Sequence, residues 1–163
     1  MTNQPDLSIG SMAPEFSLPA STGTQISLSD YRDKSNLYLF FVREFNWLQC
    51  RSHSAQLGRN YPDFQAQNCE ILLILGESIE KAQRYVEILH LPFPVLSDQK
   101  RDVYHRYGLE RAMLIVQRTA SIVLDSKGVI QYLKTTTSPM VWLQESKQLL
   151  SFVQSMGKAT WIN

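Results

Sequence analysis

An α/β fold with a partly parallel central sheet is the class the sequence predicts, and three observations carry that expectation. Segments rich in β-branched and aromatic residues alternate with amphipathic ones, as strand and helix layers do when they take turns along a chain. The run Glu70-Ile71-Leu72-Leu73-Ile74-Leu75 is continuously apolar after its first residue, the pattern of a strand covered on both faces. No repeat, linker or low-complexity stretch divides the 163 residues, 44% of which are hydrophobic. One domain over residues 1–163, with one sizeable core, is therefore expected.

The elements follow in order. Short extended pieces around Phe16-Ser17-Leu18 and Gln25-Ile26-Ser27-Leu28 are joined by the turn Ser21-Thr22-Gly23-Thr24, which predicts an N-terminal β-hairpin. The first core strand is Leu37 to Val42. A helix begins near Cys50, and Cys50, Leu57, Tyr61 and Phe64 recur at intervals of 7, 4 and 3 residues, a stripe that faces the core. Pro62 is expected to break or kink it. The Glu70 to Leu75 run is expected to be the central strand. Ser78 caps a helix through about Leu89, with Glu80 in its first turn and Ile79, Ala82, Val86 and Leu89 on one side. In Leu91-Pro92-Phe93-Pro94-Val95-Leu96-Ser97-Asp98 the prolines leave only the end, near Val95, free to pair. A short helix through Val103, Tyr104 and Tyr107 stops at Gly108. Met113 to Val116, continuing after Arg118 into Ser121-Ile122-Val123-Leu124, and Val129 to Leu133 flank Asp125-Ser126-Lys127-Gly128, a hairpin signal. The last helix runs from about Met140 to Met156, with Trp142, Leu149, Leu150 and Val153 facing in.

Composition narrows the function. With 16 basic and 15 acidic side chains, a formal charge of +1 and no basic run, nothing favours nucleic acid or an anionic membrane as a partner. Met1 to Asp6 has neither a basic nor an apolar signal region, and no apolar run approaches the roughly 20 residues of a membrane span. A cytoplasmic protein is expected. Two cysteines, Cys50 and Cys69, are too few for a disulfide framework or a four-ligand zinc site.

Cys50 is the main chemical lead. The order strand, turn, thiol, helix puts its sulfur near a helix N-terminus, where unpaired N–H groups and the positive dipole end favour thiolate. Arg43 and Arg51 flank the turn and push the thiol the same way, while Glu44 opposes them. A second reading of Cys50 stays open, that of a core cysteine on the Leu57, Tyr61 and Phe64 stripe. Cys69, at the start of the Glu70 to Leu75 strand, reads as a small buried residue. His53, three residues after Cys50, lies on nearly the same helix face. It either polarises the thiol or is a half-exposed helix histidine, the simpler reading. Tyr85, Tyr104, Trp142 and Trp161 read as packing or interface residues.

A family resemblance covers about Ile9 to Ile130. Its pieces are Gly10-Ser11-Met12-Ala13-Pro14-Glu15-Phe16-Ser17-Leu18-Pro19, Ser27-Leu28-Ser29-Asp30-Tyr31, the strand ending Phe40-Phe41, Cys50, Leu91 to Asp98, Tyr107-Gly108 and Asp125-Ser126-Lys127-Gly128-Val129-Ile130. In this order they resemble a peroxiredoxin of the AhpC/TSA type. The resemblance implies a thioredoxin-like, three-layer fold: a central mixed sheet flanked by helices, with an N-terminal β-hairpin extension. It also implies a thiol peroxidase that reduces hydrogen peroxide or alkyl hydroperoxides at Cys50 through a sulfenic acid. An external thiol of thioredoxin or glutathione type would recycle the enzyme, and a homodimer is implied. No flavin, nicotinamide, haem or metal site is visible, in keeping with chemistry carried by sulfur alone.

The site loop departs from that pattern at two positions. Arg43 stands where peroxiredoxins carry a proline, and Trp47 where they carry the Thr or Ser three residues before the cysteine. Trp47 removes a polar partner and adds bulk over the pocket. Phe41-Val42-Arg43-Glu44-Phe45-Asn46-Trp47-Leu48-Gln49-Cys50-Arg51 also resembles the peroxiredoxin-like branch whose loop reads Arg-x-x-x-Cys-x-x-Cys-Arg, with Trp47 at the first cysteine. No Cys-x-x-Cys disulfide forms in this chain, and no resolving cysteine is assigned. By resemblance, Arg118 is the strand arginine that stabilises the thiolate and the departing oxygen. Its spacing to Asp125 is one residue longer than usual, which reverses the face of a strand unless a bulge absorbs it. Arg43, Trp47 and Arg51 line the expected substrate pocket. Three functions stand open: a one-cysteine thiol peroxidase, a thiol-disulfide oxidoreductase with a crippled Cys-x-x-Cys, and a catalytically silent binding module.

Overall fold

Five strands form one mixed sheet, and its construction follows from which residues alternate along them. The computed structural model describes residues 7–42, 44–109, 111–112, 116–117, 119–136 and 145–159. A hairpin of β1 (Ser17–Pro19) and β2 (Gln25–Ser27) opens the chain, as expected, and a 3-10 turn follows at Leu28–Tyr31. The core elements are β3 (Asn36–Phe41), α1 (Leu48–Ala66), β4 (Cys69–Leu75), α2 (Ile79–Leu89), β5 (Val95–Ser97) and α3 (Asp102–Arg106). Then come β6 (Arg111–Ala112), β7 (Val116–Gln117), β8 (Thr119–Leu124), β9 (Ile130–Thr136) and α4 (Glu145–Ala159). The main sheet has the order β5-β4-β3-β8-β9. β3 pairs parallel with β4 and antiparallel with β8, β4 runs parallel to β5, and β8 pairs antiparallel with β9.

Period-two alternation divides the core in two. Tyr38, Phe40 and Val42 face α1, α2 and α4, where Leu57, Phe64, Ala82, Tyr85, Leu149 and Val153 cover them. Leu37, Leu39 and Phe41 face the other way, onto Phe16, Leu18 and Leu28 and onto Val103, Tyr104 and Tyr107. The sheet is thus the middle of three layers. Among the described residues no helix is long and apolar enough to cross a membrane.

Three expectations are corrected. The middle strand is β3, with β4 second from its edge; both are buried on both faces, and a continuous apolar run reports covering without reporting order. Pro62 does not break α1, which runs on to Ala66. It is exposed, Gly58 four residues earlier is partly exposed, and the helix ends one turn later, so water can serve the carbonyl that loses its donor. Val116 does not continue into the core strand. With Gln117 it pairs instead to Arg111 and Ala112 in a separate two-stranded ladder, while residues 113–115 lie outside the described residues, as do 140–144 of the expected last helix. The other signals hold. Ser78 accepts from the Lys81 amide at 3.3 Å, β5 follows the two prolines as an edge strand, and Gly108 ends the α3 turn at φ +67°.

Tyr104 ties the two layers together at the carboxyl end of the parallel pair. Its buried hydroxyl lies 2.6 Å from the Val42 carbonyl and 2.8 Å from that of Ile74, a single proton shared between two chain ends. Tyr104→Phe is expected to lower unfolding free energy by roughly 1–3 kcal/mol at an unchanged m-value, as read from urea denaturation.

Candidate functional site around Cys50

The chain leaves β3 in the crevice at the carboxyl ends of the parallel strands, the place where α/β sheets present their chemistry. Val42 adds one more bond, its N–H donating to the Ile74 carbonyl at 3.1 Å. The loop of Glu44, Phe45 and Asn46 is then fastened at Phe45. Its N–H donates to Glu77 Oε2 at 2.9 Å, its ring meets Tyr85 edge-on at 5.8 Å, and its carbonyl accepts from Arg51 Nε at 2.8 Å. The Arg51 guanidinium also lies over the Phe45 ring, 4.8 Å from its centre, a cation–π contact that holds the arginine along the loop.

Trp47 is the N-cap of α1, with φ −73° and ψ 112°. Its carbonyl accepts from the Arg51 N–H at 3.1 Å, but an indole offers no acceptor for the first-turn amides and no side-chain cap bond forms. The ring is half-buried and packs against the core beneath α1. Cys50 is the third residue of the helix and is 1% exposed. First turn and core stripe, the two places weighed from sequence, are the same place. Negative charge developing on this sulfur meets the positive end of the helix dipole.

Phenols surround that position. Tyr38, Tyr85 and Tyr104, one each from β3, α2 and α3, all lie within electrostatic range of Cys50, and burial pushes each phenol up from its ordinary value. Ser54 donates to the Cys50 carbonyl at 2.7 Å and lies 3.2 Å from the Tyr85 hydroxyl. His53 corrects the simpler sequence reading. It is 2% exposed, with Nε2 3.2 Å from the Tyr38 hydroxyl and its ring edge-on to Phe40 at 4.7 Å. The imidazole faces the sheet, where Tyr38 and Phe40 of β3 meet it.

Arg43 and Arg118 lie outside the described residues. The register shift recorded beside β8 lies on β9, where Val123 and Leu124 pair with Tyr132 and Ile130 and skip Gln131, and it leaves the spacing along β8 unchanged. Along the described part of β8, Ala120 to Leu124 keep strict register with β3. Cys69 is fully buried at the start of β4, and burial raises its thiol to about 12, so it stays a thiol at neutral pH.

Sequence reading passed over Tyr38, Ser121 and Glu145. Each left a trace: a Tyr inside Leu37-Tyr38-Leu39-Phe40-Phe41, a Ser inside Ala120-Ser121-Ile122-Val123-Leu124, and an acid four residues before Leu149, on the inward stripe of the last helix. Glu145 is fully buried, and burial pushes its carboxyl up to about 7 while Lys134, Ser121 and Tyr132 hold it lower. A carboxyl raised on folding binds its proton more tightly in the native state, so stability is highest below its unfolded value of 4.5 and is lost as pH rises through about 7. The thermal midpoint is expected to fall between about pH 5 and about pH 8, and Glu145→Gln is expected to flatten most of that slope. Calorimetry across the pH range measures it.

The AhpC/TSA family model matches residues 9–133. Peroxiredoxin Bcp of Escherichia coli is 27% identical over 152 residues, 85% of this chain and 97% of that one. A chloroplastic peroxiredoxin Q of Triticum aestivum is 27% identical over 128 residues; they make up 78% of this chain and 58% of the longer wheat protein. The crystal structure of peroxidoxin BcpB from Mycobacterium tuberculosis superposes with a TM-score of 0.80 at 20% identity, covering 90% of this chain and 96% of that one, a likeness of fold that bears out the thioredoxin-like architecture. With its matching segment spanning the hairpin, the main sheet and the Cys50 loop, this chain belongs to the AhpC/TSA family.

Proposed function

We propose that the protein is a one-cysteine thiol peroxidase acting on hydrogen peroxide or an alkyl hydroperoxide, with Cys50 as the nucleophile. The observation that carries this reading is the sulfur's place in the first turn of α1, beyond the carboxyl end of β3, in a chain of the AhpC/TSA family. Peroxiredoxin relatives such as Bcp of Escherichia coli support it, as does a structural neighbour from Xanthomonas campestris described for its alkyl peroxide reduction activity.

The thiolate attacks the nearer peroxide oxygen, the S–O bond forms as the O–O bond breaks, and the electron pair leaves on the second oxygen as hydroxide or alkoxide, which takes up a proton. Cys50 becomes a sulfenic acid. An external thiol condenses with it, releasing water and leaving a mixed disulfide, and a second thiol releases reduced Cys50 as an external disulfide. Arg51, held along the loop, and Arg43 and Trp47 line the pocket in this reading, and Arg118 stabilises the departing oxygen. One domain of residues 1–163 carries the site and pairs as a homodimer in the cytoplasm.

The burial of Cys50 favours a second reading, a silent binding module with Trp47 filling the former pocket. Trapping sulfenic acid by mass spectrometry after hydrogen peroxide separates the two. The peroxidase reading expects modification that Cys50→Ser abolishes, Cys69→Ser leaves intact, and Trp47→Thr accelerates by roughly tenfold or more, since a positioned hydroxyl contributes to the transition state on the order of 1.4 kcal/mol. An unmodified Cys50 in both the natural chain and Trp47→Thr leaves the binding module standing; activity appearing only in Trp47→Cys identifies a dithiol site silenced at position 47.

A further inference from the structure

Five polar side chains link up within the largely apolar layer between the sheet and helices α1 and α4. Tyr38 on β3, Ser121 on β8 and Glu145 on α4 are fully buried, His53 on α1 is nearly so, and Tyr132 on β9 reaches partway to solvent. They form one chain. His53 Nε2 lies 3.2 Å from the Tyr38 hydroxyl, which lies 2.7 Å from Ser121 Oγ; the Ser121 hydroxyl reaches the Glu145 carboxyl, and the Tyr132 hydroxyl donates to Glu145 Oε1 at 3.4 Å. Glu145 Oε2 has no hydrogen-bond partner among the described residues. An unsatisfied buried oxygen costs stability, and apolar residues of the same shape would pack the layer as well. Stability alone does not account for the chain.

Its donors fix its sense, because each hydroxyl carries one proton. When Glu145 is ionised, Ser121 donates to it, Tyr38 donates to Ser121, and His53 presents Nε2–H to Tyr38. When Glu145 is protonated it donates to Ser121, both hydroxyls turn, and His53 Nε2 becomes an acceptor. A proton at one end thus selects the imidazole tautomer at the other. His53 stands one helical turn from Cys50 on the same face of α1, and Tyr38, mid-chain, is in electrostatic range of both Glu145 and Cys50.

We propose that Glu145 is a positioning residue for Cys50, acting through Ser121 and Tyr38 on the tautomer of His53 and thereby setting the electrostatic surroundings of the thiol. The inference rests on Cys50 being the reacting thiol. The groups facing the Glu145 carboxyl are Tyr38 from β3, Ser121 from β8, and Tyr132 and Lys134 from β9; α1 brings His53 and Cys50 to the far end of the chain, and its Gln56 meets Ser146 beside Glu145 at 3.3 Å. With the carboxyl raised to about 7 by burial, the chain reverses at near-neutral pH.

The test is the pH dependence of Cys50 alkylation by iodoacetamide, read peptide by peptide with Cys69 as the internal control. It uses no peroxide, so it stands or falls separately from peroxidase activity. The full chain is expected to show two ionisations, the step near neutrality changing the rate several-fold, as coupled sites do. Glu145→Gln and Tyr38→Phe, the first removing the charge and the second cutting the chain with the charge in place, should each leave a single ionisation. Lys134→Met should move the neutral step upward. Side-chain ¹⁵N shifts of His53 should report a tautomer change across the same pH range in the full chain and none in Tyr38→Phe. Superimposable alkylation profiles in the full chain, Glu145→Gln and Tyr38→Phe, or a His53 tautomer constant from about pH 5 to about pH 9, would overturn the proposal.

Discussion

Everything around Cys50 depends on β3 being held on all four sides. It pairs with β4 on one edge and β8 on the other, while its alternate residues serve two separate cores. A strand so placed can neither slide nor tilt without breaking a ladder or emptying a core. The Cys50 loop leaves from its end, and the Tyr104 hydroxyl clamps that end to β4. The position of the sulfur is therefore inherited from the most constrained strand in the sheet, and the loop adds only local orientation.

Strand existence, helix faces and the place of Cys50 were legible in the sequence because each rests on a short-range pattern: a covered run, a helical stripe, a cap at Ser78. Strand order was not, because the residues of β3 and β4 report equal burial and carry no mark of their neighbours. Pro62 misled because the penalty for proline in a helix assumes a dry carbonyl, and this one lies on the wet side. His53 misled for the opposite reason. Its helix face is covered by Tyr38 and Phe40 of β3, and no local pattern within α1 encodes that contact. The polar chain from His53 to Glu145 draws on four elements, so only isolated polar residues on apolar strands and on the inward stripe of α4 hinted at it.

Part of the buried volume near Cys50 goes to hydroxyls. Tyr38, Tyr85 and Tyr104 come from three layers of the fold and lie within electrostatic range of one sulfur, each hydroxyl with a hydrogen-bond partner. Phenylalanine would fill the same space, but a phenol adds a rigid dipole whose direction is set by its partner. The medium around Cys50 is apolar in composition and polar in orientation, a setting in which fixed dipoles act on charge more strongly than water would.

Glu77 gives the loop a mechanical character of its own. One carboxylate oxygen holds the Phe45 amide and the other holds Lys81, in the first turn of α2, at 2.8 Å, while the Glu77 backbone carbonyl accepts from Ser97 on β5. Releasing Phe45 from Glu77 surrenders a charge-assisted bond worth about 1.5–3 kcal/mol. That latch alone keeps the loop open for no more than roughly a tenth to a hundredth of the time. Because Lys81 and Ser97 keep their grip when Phe45 lets go, the catch stays cocked in its closing position, and the door swings shut onto a receptor that has not moved.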